Sequence, residues 1–573
     1  MNAAVLQARE PSARYLVELQ SPVVRSFDPL ATAPQGVAKL RELILSLAVQ
    51  GKLVAQDSNE EPAALALKRA GLERDDRNIK RLSAISAATD SMANRRRLPR
   101  GWLAVPLGQL ISSIKSGGTP SKQNPAYWNG DIPWASVKDL KFGEPIRDTQ
   151  DKITCLGLAE GAALAEKGSI IICTRMGLGK IGEATRDIAI NQDLKAVRLL
   201  SCIRNAYFIN YFRTLSIIGS GMTVAGIKQD ELLSLIVPLP PLAEQARIVA
   251  RVEELMKLCD ALEESGRLEA EQHARLVSTL FDALAASETA QALTENWQRI
   301  TQHFDLLLDR PEAIDALEQT ILQLAVRGLL VSQNPSDEPA DALLSRIRAD
   351  RDQLIAAGRM RRDKPLPPVS VAEQRLALPS GWIWVRMQHI SDARLGKMLD
   401  KAKNTGQLCP YLRNTNVQWR RFELDDIKQI RLEPHELDEF RLLPGDLLIC
   451  EGGEPGRCAI WRNESLEMYF QKALHRVRPL GGVLPEFLEL CLQSDAAAGL
   501  LDQYFTGATI KHFAGQELSR YVLPLPPAKE QHRIVARVQQ LRALCAQLRE
   551  RLQQARHTQG LLADTLANTA VNA

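Results

Sequence analysis

The chain has 573 residues, enough for three or four domains at ~150 residues each. Apolar residues make up 45% and charged residues 24%, which excludes a disordered or fibrous chain. With 72 basic against 68 acidic side chains the net charge is only +4, which excludes a histone-like polycation and gives no chain-wide sign of nucleic acid.

Met1 to Gln20 mixes Arg9, Glu10, Arg14 and Glu18 with no continuous apolar core, so no signal or transit peptide is expected. No stretch approaches the ~18 apolar residues of a membrane span. The nine cysteines are odd in number and lack C-x-x-C spacing, which points to neither a disulfide framework nor a zinc ribbon. A reducing cytoplasm is the expected location.

Residues 38–56 predict a short apolar helix ending near Gly51. Residues 98–241 hold tryptophans, tyrosines, Gly-rich turns and short apolar runs; Ser169-Ile170-Ile171-Ile172, behind Gly168, predicts a buried strand. At Pro238-Leu239-Pro240-Pro241 proline ends a strand and suits a helix start. The following helix, to about residue 284, would be ~60 Å long at ~1.5 Å per residue. Along it Ile248, Val252, Leu255, Cys259 and Leu262 are spaced 4, 3, 4, 3, the period of a coiled-coil seam.

From there the chain repeats itself. Residues 40–63 (LRELILSLAVQGKLVAQDSNEEPA) return without a gap as 317–340 (LEQTILQLAVRGLLVSQNPSDEPA). Leu98-Pro99-Arg100-Gly101-Trp102 returns as Leu378-Pro379-Ser380-Gly381-Trp382. The Pro-Leu-Pro-Pro corner with Glu244-Gln245 and Arg247-Ile248-Val249-Ala250-Arg251-Val252 returns from Pro524 through Glu530-Gln531 to Val538. Gly445 with Asp446-Leu447-Leu448-Ile449 repeats the buried strand, and Ile534, Val538, Leu541, Cys545 and Leu548 repeat the seam. Three ordered matches at an offset drifting only from 277 (Leu40 to Leu317) to 286 (Pro238 to Pro524) mark a duplication.

The expected domains are therefore an N-terminal helical region 1–97 (a copy of 315–377), a β-rich domain 98–241, a helical spacer 242–377, a second β-rich domain 378–527 and a last spacer helix 528–573. The short helix precedes the first β-rich domain and follows the first long helix, but nothing like it follows the second. A cyclic arrangement accounts for this: the N-terminal helix completes the pair that the C-terminus leaves unfinished, relating the halves by a pseudo-two-fold axis. The fold class expected is α+β, two α/β domains with curved sheets separated by long antiparallel coiled-coil helices.

Gly117-Gly118-Thr119-Pro120, Asn124-Pro125 and Tyr127-Trp128-Asn129-Gly130-Asp131-Ile132-Pro133-Trp134 resemble the opening of a target recognition domain of type I restriction–modification specificity subunits. Gly396-Lys397-Met398, Tyr411-Leu412-Arg413-Asn414-Thr415-Asn416-Val417 and Pro444-Gly445-Asp446-Leu447-Leu448 resemble a second one, and the Pro-Leu-Pro-Pro…Glu-Gln…Arg-Ile-Val starts resemble the family's spacer helices. The resemblance implies that each β-rich domain reads one half of a gapped double-stranded DNA site, while the helices dock two modification subunits. It implies no catalysis and no cofactor on this chain; S-adenosylmethionine belongs to the modification subunits, and ATP and Mg to restriction subunits. Residues 98–240 carry 16 basic against 12 acidic side chains, so charge alone does not decide for DNA. "SGGTPSKQNPAYW" has no visible counterpart near "GKMLDKAKNTGQL", so unlike half-sites and a non-palindromic target are expected.

The first domain's candidates for DNA contact are Lys115, Thr119, Ser121, Lys122, Tyr127 and Trp128, where hydroxyls and ammoniums position phosphates and aromatics stack or wedge. Tyr127 and Trp128 equally suit a domain core. Arg175, in a Thr-Arg-Met-Gly turn, suits a bidentate guanine contact or a solvated surface; Gln192, Lys195 and Lys228 complete the set. The second domain offers Lys397, Lys401, Lys403, Arg413, Asn414, Asn416, Gln418, Arg420 and Arg421, with Asn and Gln suited to adenine and Arg to guanine. Asp425 and Asp426 follow at once, so part of this stretch also reads as an ordinary charged surface. Gln471, Lys472, His475 and Lys511 are further candidates.

Enzyme signatures fall short. Asn124-Pro125-Ala126-Tyr127 lacks the second proline of the methyltransferase clamp, and Gly177-Leu178-Gly179-Lys180 lacks the first glycine and the Ser/Thr of a phosphate loop. Asp187, Asp193 and Lys195 have the spacing of metal-dependent nucleases, which three common residue types match by chance. His475 with Cys450 and Cys458 lacks metal-ligand spacing. Two alternatives stand beside the resemblance: a self-sufficient nuclease or methyltransferase with similar recognition domains, and a coiled-coil adaptor that binds only protein.

Overall fold

A computed structural model describes residues 30–31, 33–73, 98–215, 226–400 and 405–572. The chain forms two compact units, Met1–Leu268 with Ala555–Ala573, and Glu269–Gln554.

In the first unit α1 (Gly36–Val49) and α2 (Ala63–Ala70) precede β1 (Leu103–Pro106), β2 (Ile111–Ser116), β3 (Trp128–Ala135), β4 (Asp151–Ile153), β5 (Ala163–Ala165), β6 (Ile170–Cys173), β7 (Ile181–Glu183), β8 (Ile188–Ile190) and β9 (Leu194–Leu199). Then come α3 (Asn205–Phe212), β10 (Ile236–Leu239) and the start of α4 (Leu242–Ala285). Two four-stranded sheets, ordered β2-β9-β6-β7 and β4-β3-β8-β5, and a β1-β10 ribbon form the first β-rich domain. The expected strand behind Gly168 is β6, whose four residues are all buried; Gly168 turns into it at φ +83°.

The second unit holds α5 (Ala290–Gln302), α6 (Pro311–Val326) and α7 (Ala340–Ala356), then β11 (Ile383–Arg386), β12 (Ser391–Leu395), β13 (Gln407–Leu412), β14 (Val417–Gln418), β15 (Arg421–Phe422) and β16 (Lys428–Leu432). After these run β17 (Leu447–Cys450), β18 (Cys458–Ile460), β19 (Tyr469–Phe470), β20 (Leu474–Pro479), α8 (Pro485–Ala497), β21 (Val522–Leu525) and the start of α9 (Ala528–Asn572). The order β12-β20-β17-β18 matches β2-β9-β6-β7, β16-β13-β19 matches β4-β3-β8, and β11-β21 matches β1-β10. The duplication thus extends through both β-rich domains, where the sequences show little likeness.

Every repeated motif meets at one junction, built once in each unit. α1 and α6 end where Gly51 and Gly328 turn left-handed, at φ +69° and +71°. The first helix thus ends at Val49, just before Gly51, where the sequence placed its end. A Cβ at either glycine would lie 2.5 Å from Pro99 Cγ or 2.6 Å from Pro379 Cγ, so only glycine lets helix end and proline pack this closely. Beside these prolines the Trp102 indole donates to Glu244 Oε2 at 2.9 Å, and that of Trp382 to Glu530 Oε2 at 3.0 Å. Both carboxylates are 1% exposed, and burial raises both pKa values. The adjacent Gln245 amide donates to the Cys202 and Pro240 carbonyls at 3.0 Å, and its oxygen accepts the Arg204 N–H at 2.8 Å. Gln531 repeats the pattern with the Pro526 carbonyl and the Leu484 N–H. Buried polar groups are tolerated when so bonded, and here they tie the long helix's start to the base of the β-rich domain.

In the first unit Ile248, Val252 and Cys259 are buried, with Leu255 and Leu262 half-buried, against Leu40, Leu43, Ile44 and Leu47 of α1 and Ala563 and Ala570 of α9. Lys39 of α1 lies 2.7 Å from Asp564 and donates to the Gly560 carbonyl at 3.2 Å; Arg41 pairs with Asp260 and Glu263. In the second unit Ile534, Val538 and Cys545 are buried and Leu541 and Leu548 half-buried, against Leu317, Ile321 and Leu324 of α6 and Val277, Phe281 and Leu284 of α4. α1 therefore takes, beside the end of α9, the place that α6 takes beside the end of α4 in the second unit. This is the cyclic arrangement that the order of the repeats implied.

Candidate nucleic-acid interface

Because β9 runs antiparallel to both β2 and β6, the loop leaving β2, the loop leaving β6 and the loop entering β9 gather at one end of the sheet. Gly117 and Gly118 start the first loop, donating to the Leu194 and Ile190 carbonyls at 3.2 and 2.9 Å. A Cβ on Gly117 would come within 2.0 Å of the Asn191 carbonyl oxygen. The second domain has the same construction: Gly396 and Lys397 donate to the Leu474 and Phe470 carbonyls at 3.0 and 3.1 Å, and a Cβ on Gly396 would meet the Gln471 carbonyl oxygen at 2.3 Å. Gly117 and Gly396 are thus counterparts, although their flanking sequences show none. The loops leaving β6 and β17 match as well, since Thr174 accepts from Ile227 N–H and Glu451 from Phe513 N–H.

Around the first sheet end, Thr119 donates to the Gln192 side chain and Arg175 is exposed, 3.8 Å from Asp193. Lys195 donates to Ser116 at 2.7 Å and Gln229 at 3.1 Å, and burial lowers its pKa. Lys228 is exposed immediately before Gln229. Ser121 and Lys122 are exposed in the β2–β3 loop. Trp128 anchors that loop, donating to the Ser121 carbonyl at 3.0 Å and meeting Trp134 edge-on at 5.2 Å; Tyr127 beside it is half-buried. Lys115 pairs with Glu166 at 3.1 Å. Asp187 and Asp193 stand at opposite ends of β8, so the nuclease-like spacing assembles no centre.

In the second domain Lys397, Asn414, Gln471 and Lys472 gather at the matching sheet end. Lys397 pairs with Glu436, Asn414 donates to the Gly452 carbonyl at 3.2 Å, and Lys472 is exposed. Gln471 Oε1 is buried without a partner. Lys511, on a neighbouring loop, pairs with Asp502 at 3.0 Å over the Phe505 ring. Gln418 is half-buried, bonded to the Thr415 carbonyl and Glu423, and Arg421 pairs with Glu423 at 3.0 Å. Lys401 and Lys403 lie outside the described residues. Four candidates are redirected by their surroundings. Asn416 is 3% exposed; its oxygen accepts the Arg413 N–H while its amide donates to the Glu423 and Asp426 carbonyls, so it holds a turn and offers nothing to a base. His475 is 1% exposed against the Phe513 carbonyl at 2.8 Å, and burial pushes its pKa down to about 4. Arg413 is held on Asp426 at 2.5 Å, and Arg420 turns to Glu318 of α6 at 3.6 Å.

Comparison with known proteins fits this geometry. The family model of the type I restriction modification DNA specificity domain matches residues 99–272 and again 379–555. The type I restriction enzyme EcoEI specificity subunit of Escherichia coli is 30% identical over 567 residues, covering 94% of each chain. The chain belongs to this family. The EcoAI specificity subunit, also of Escherichia coli, is 30% identical over 570 residues with the same coverage. The crystal structure of the HsdS subunit from Thermoanaerobacter tengcongensis is 18% identical with a TM-score of 0.40, covering 84% of this chain and 99% of that one.

As a type I specificity subunit the protein carries two recognition domains. Sequence reading passed over Met176 and His512 in the sheet-end loops. Met176 is 71% exposed at φ +59° directly after Arg175, and His512 is exposed against Gly452. Neither gave a signal, because an isolated methionine or histidine in a Gly-rich stretch suits a core equally well.

Proposed function

We propose that each recognition domain reads one half of a split, non-palindromic double-stranded DNA sequence through its sheet-end loops. The long helices join the two readers and dock two modification subunits, restriction subunits completing the assembly. The chain itself is a non-catalytic cytoplasmic subunit that binds no cofactor; S-adenosylmethionine works on the modification subunits, and ATP with Mg on the restriction subunits. One observation carries the reading: the two domains share strand order and loop anchors, yet place Thr119, Arg175 and Gln192 in one and Lys397, Asn414 and Lys472 in the other. The same frame with different edge-reading groups is what two unlike half-sites require.

Methylome sequencing of the host with and without this gene tests it. A bipartite adenine-methylation motif should vanish in the deletion strain, and substitutions in loop 191–193 should alter one half of that motif only. A single continuous or palindromic motif would overturn the assignment, as would methylation by the purified chain alone.

A further inference from the structure

In the second unit α6, α8, β11 and β21 line an open pocket of about 160 Å³ that no part of the DNA reading uses. Much of its wall is apolar, from Val326, Leu376 and Leu500 among others. Two N–H donors on lining residues are buried without an acceptor, Arg375 Nη1 and the Trp384 indole N–H. The Arg375 guanidinium sits 5.6 Å from the Trp384 ring and is fixed by its other amine, 2.8 Å from Asp495 and 2.9 Å from the Val522 carbonyl. Arg327 also lines the space and donates to the Ser287 carbonyl at 3.3 Å. Of these two guanidiniums, Arg375 is answered by Asp495, and the nearby Glu288 carboxylate acts on Arg327.

We propose that this pocket binds a small monocarboxylate with an apolar body. The carboxylate accepts from Arg375 and Trp384, two donors in need of acceptors, while the hydrocarbon part covers the aliphatic wall. At roughly 30 Å³ per water the pocket would hold several waters, which would satisfy both N–H groups but leave that wall wet. Phosphate would bring nothing for the apolar wall. The site belongs to the second half alone: by the register of the repeats, Gln50 and Ala104 stand where Arg327 and Trp384 do.

Calorimetric titration of the full chain with benzoate, benzamide and inorganic phosphate tests the proposal. Benzoate should bind saturably at one site, with benzamide and phosphate at least about tenfold weaker, since the charge-assisted hydrogen bonds are lost or mismatched. Arg375→Gln should lower benzoate affinity at least about tenfold. Trp384→Phe keeps an aromatic six-membered ring, removes the N–H together with the rest of the pyrrole ring, and should cost at least about three- to tenfold. It also keeps the test valid if Arg375→Gln fails to fold. No saturable benzoate binding, equal binding of benzamide or phosphate, or an affinity unmoved by Trp384→Phe would overturn the site.

Discussion

Glu489 offers the most quantitative test of how the second recognition domain is packed. It lies on α8, 7% exposed, lining a cavity of about 150 Å³ with Arg420, Arg462, Arg542 and Glu486. Burial pushes its carboxyl up to about 7 from an ordinary 4.5; the three arginines pull it down and Glu486 pushes it further up. Between those two values the folded chain keeps a proton that the unfolded chain has released. The stabilisation is therefore complete below pH ~4.5, declines as pH rises, and is gone above pH ~7. A shift of about 2.5 units at ~1.36 kcal/mol per unit gives about 3 kcal/mol as an upper bound. Glu489→Gln removes the titration while keeping size and polarity. Hydrogen exchange of the α8 amides, corrected for the pH dependence of intrinsic exchange, reads the local opening free energy in both proteins. Relative to its value at pH 5, the variant should gain up to about 3 kcal/mol over the parent by pH 8. A difference between the two that stays flat from pH 5 to 8 would refute a buried, proton-retaining Glu489.

Gly51→Ala and Gly328→Ala should destabilise their units alike, by about 2–4 kcal/mol each, through left-handed strain plus overlap with Pro99 or Pro379; thermal unfolding of the two variants checks this. Arg175→Ala should weaken binding of the cognate duplex by about 1–3 kcal/mol and relax one base position in one half-site, read by binding selection on randomised duplexes. Asn416→Ala should lower stability by about 1–3 kcal/mol, because it strands the Arg413 N–H and two carbonyls, while leaving the preferred bases unchanged in the same selection.

The helical half of this fold was legible because helix packing writes itself into the chain at a fixed period. Ile248, Val252 and Cys259, and their copies Ile534, Val538 and Cys545, are buried at the spacing their sequence shows. The repeated glycines, tryptophans and Glu-Gln pairs were visible as repeats, though only the structure reveals that they form one junction. The sheet-end loops were much harder to read. Asn416, Arg413 and Arg420 are the residue types that read base edges, but the same groups also cap turns and pair with nearby carboxylates. Composition cannot tell which partner is closer. Nor could alignment relate Gly117 to Gly396, since what they share is a backbone approach that admits no Cβ, with little else around it alike.

That contrast has a physical cause. At the junction Trp102, Glu244 and Gln245 are buried and hydrogen-bonded: Trp102 to Glu244, which also accepts from Gln56, and Gln245 to three backbone groups. Replacing any one leaves a buried donor or acceptor unsatisfied, at about 1–3 kcal/mol, so two copies of such a network stay alike. At the sheet ends the backbone itself supplies anchors for the loops, through Gly117 to Leu194 and Gly396 to Leu474, beside side-chain bonds such as Thr119 to Gln192. Gln192 and Lys472 can therefore occupy the same place in the same frame. A fold fixed by its buried junctions, with loops anchored through backbone, can change the loop side chains of one half without disturbing the other.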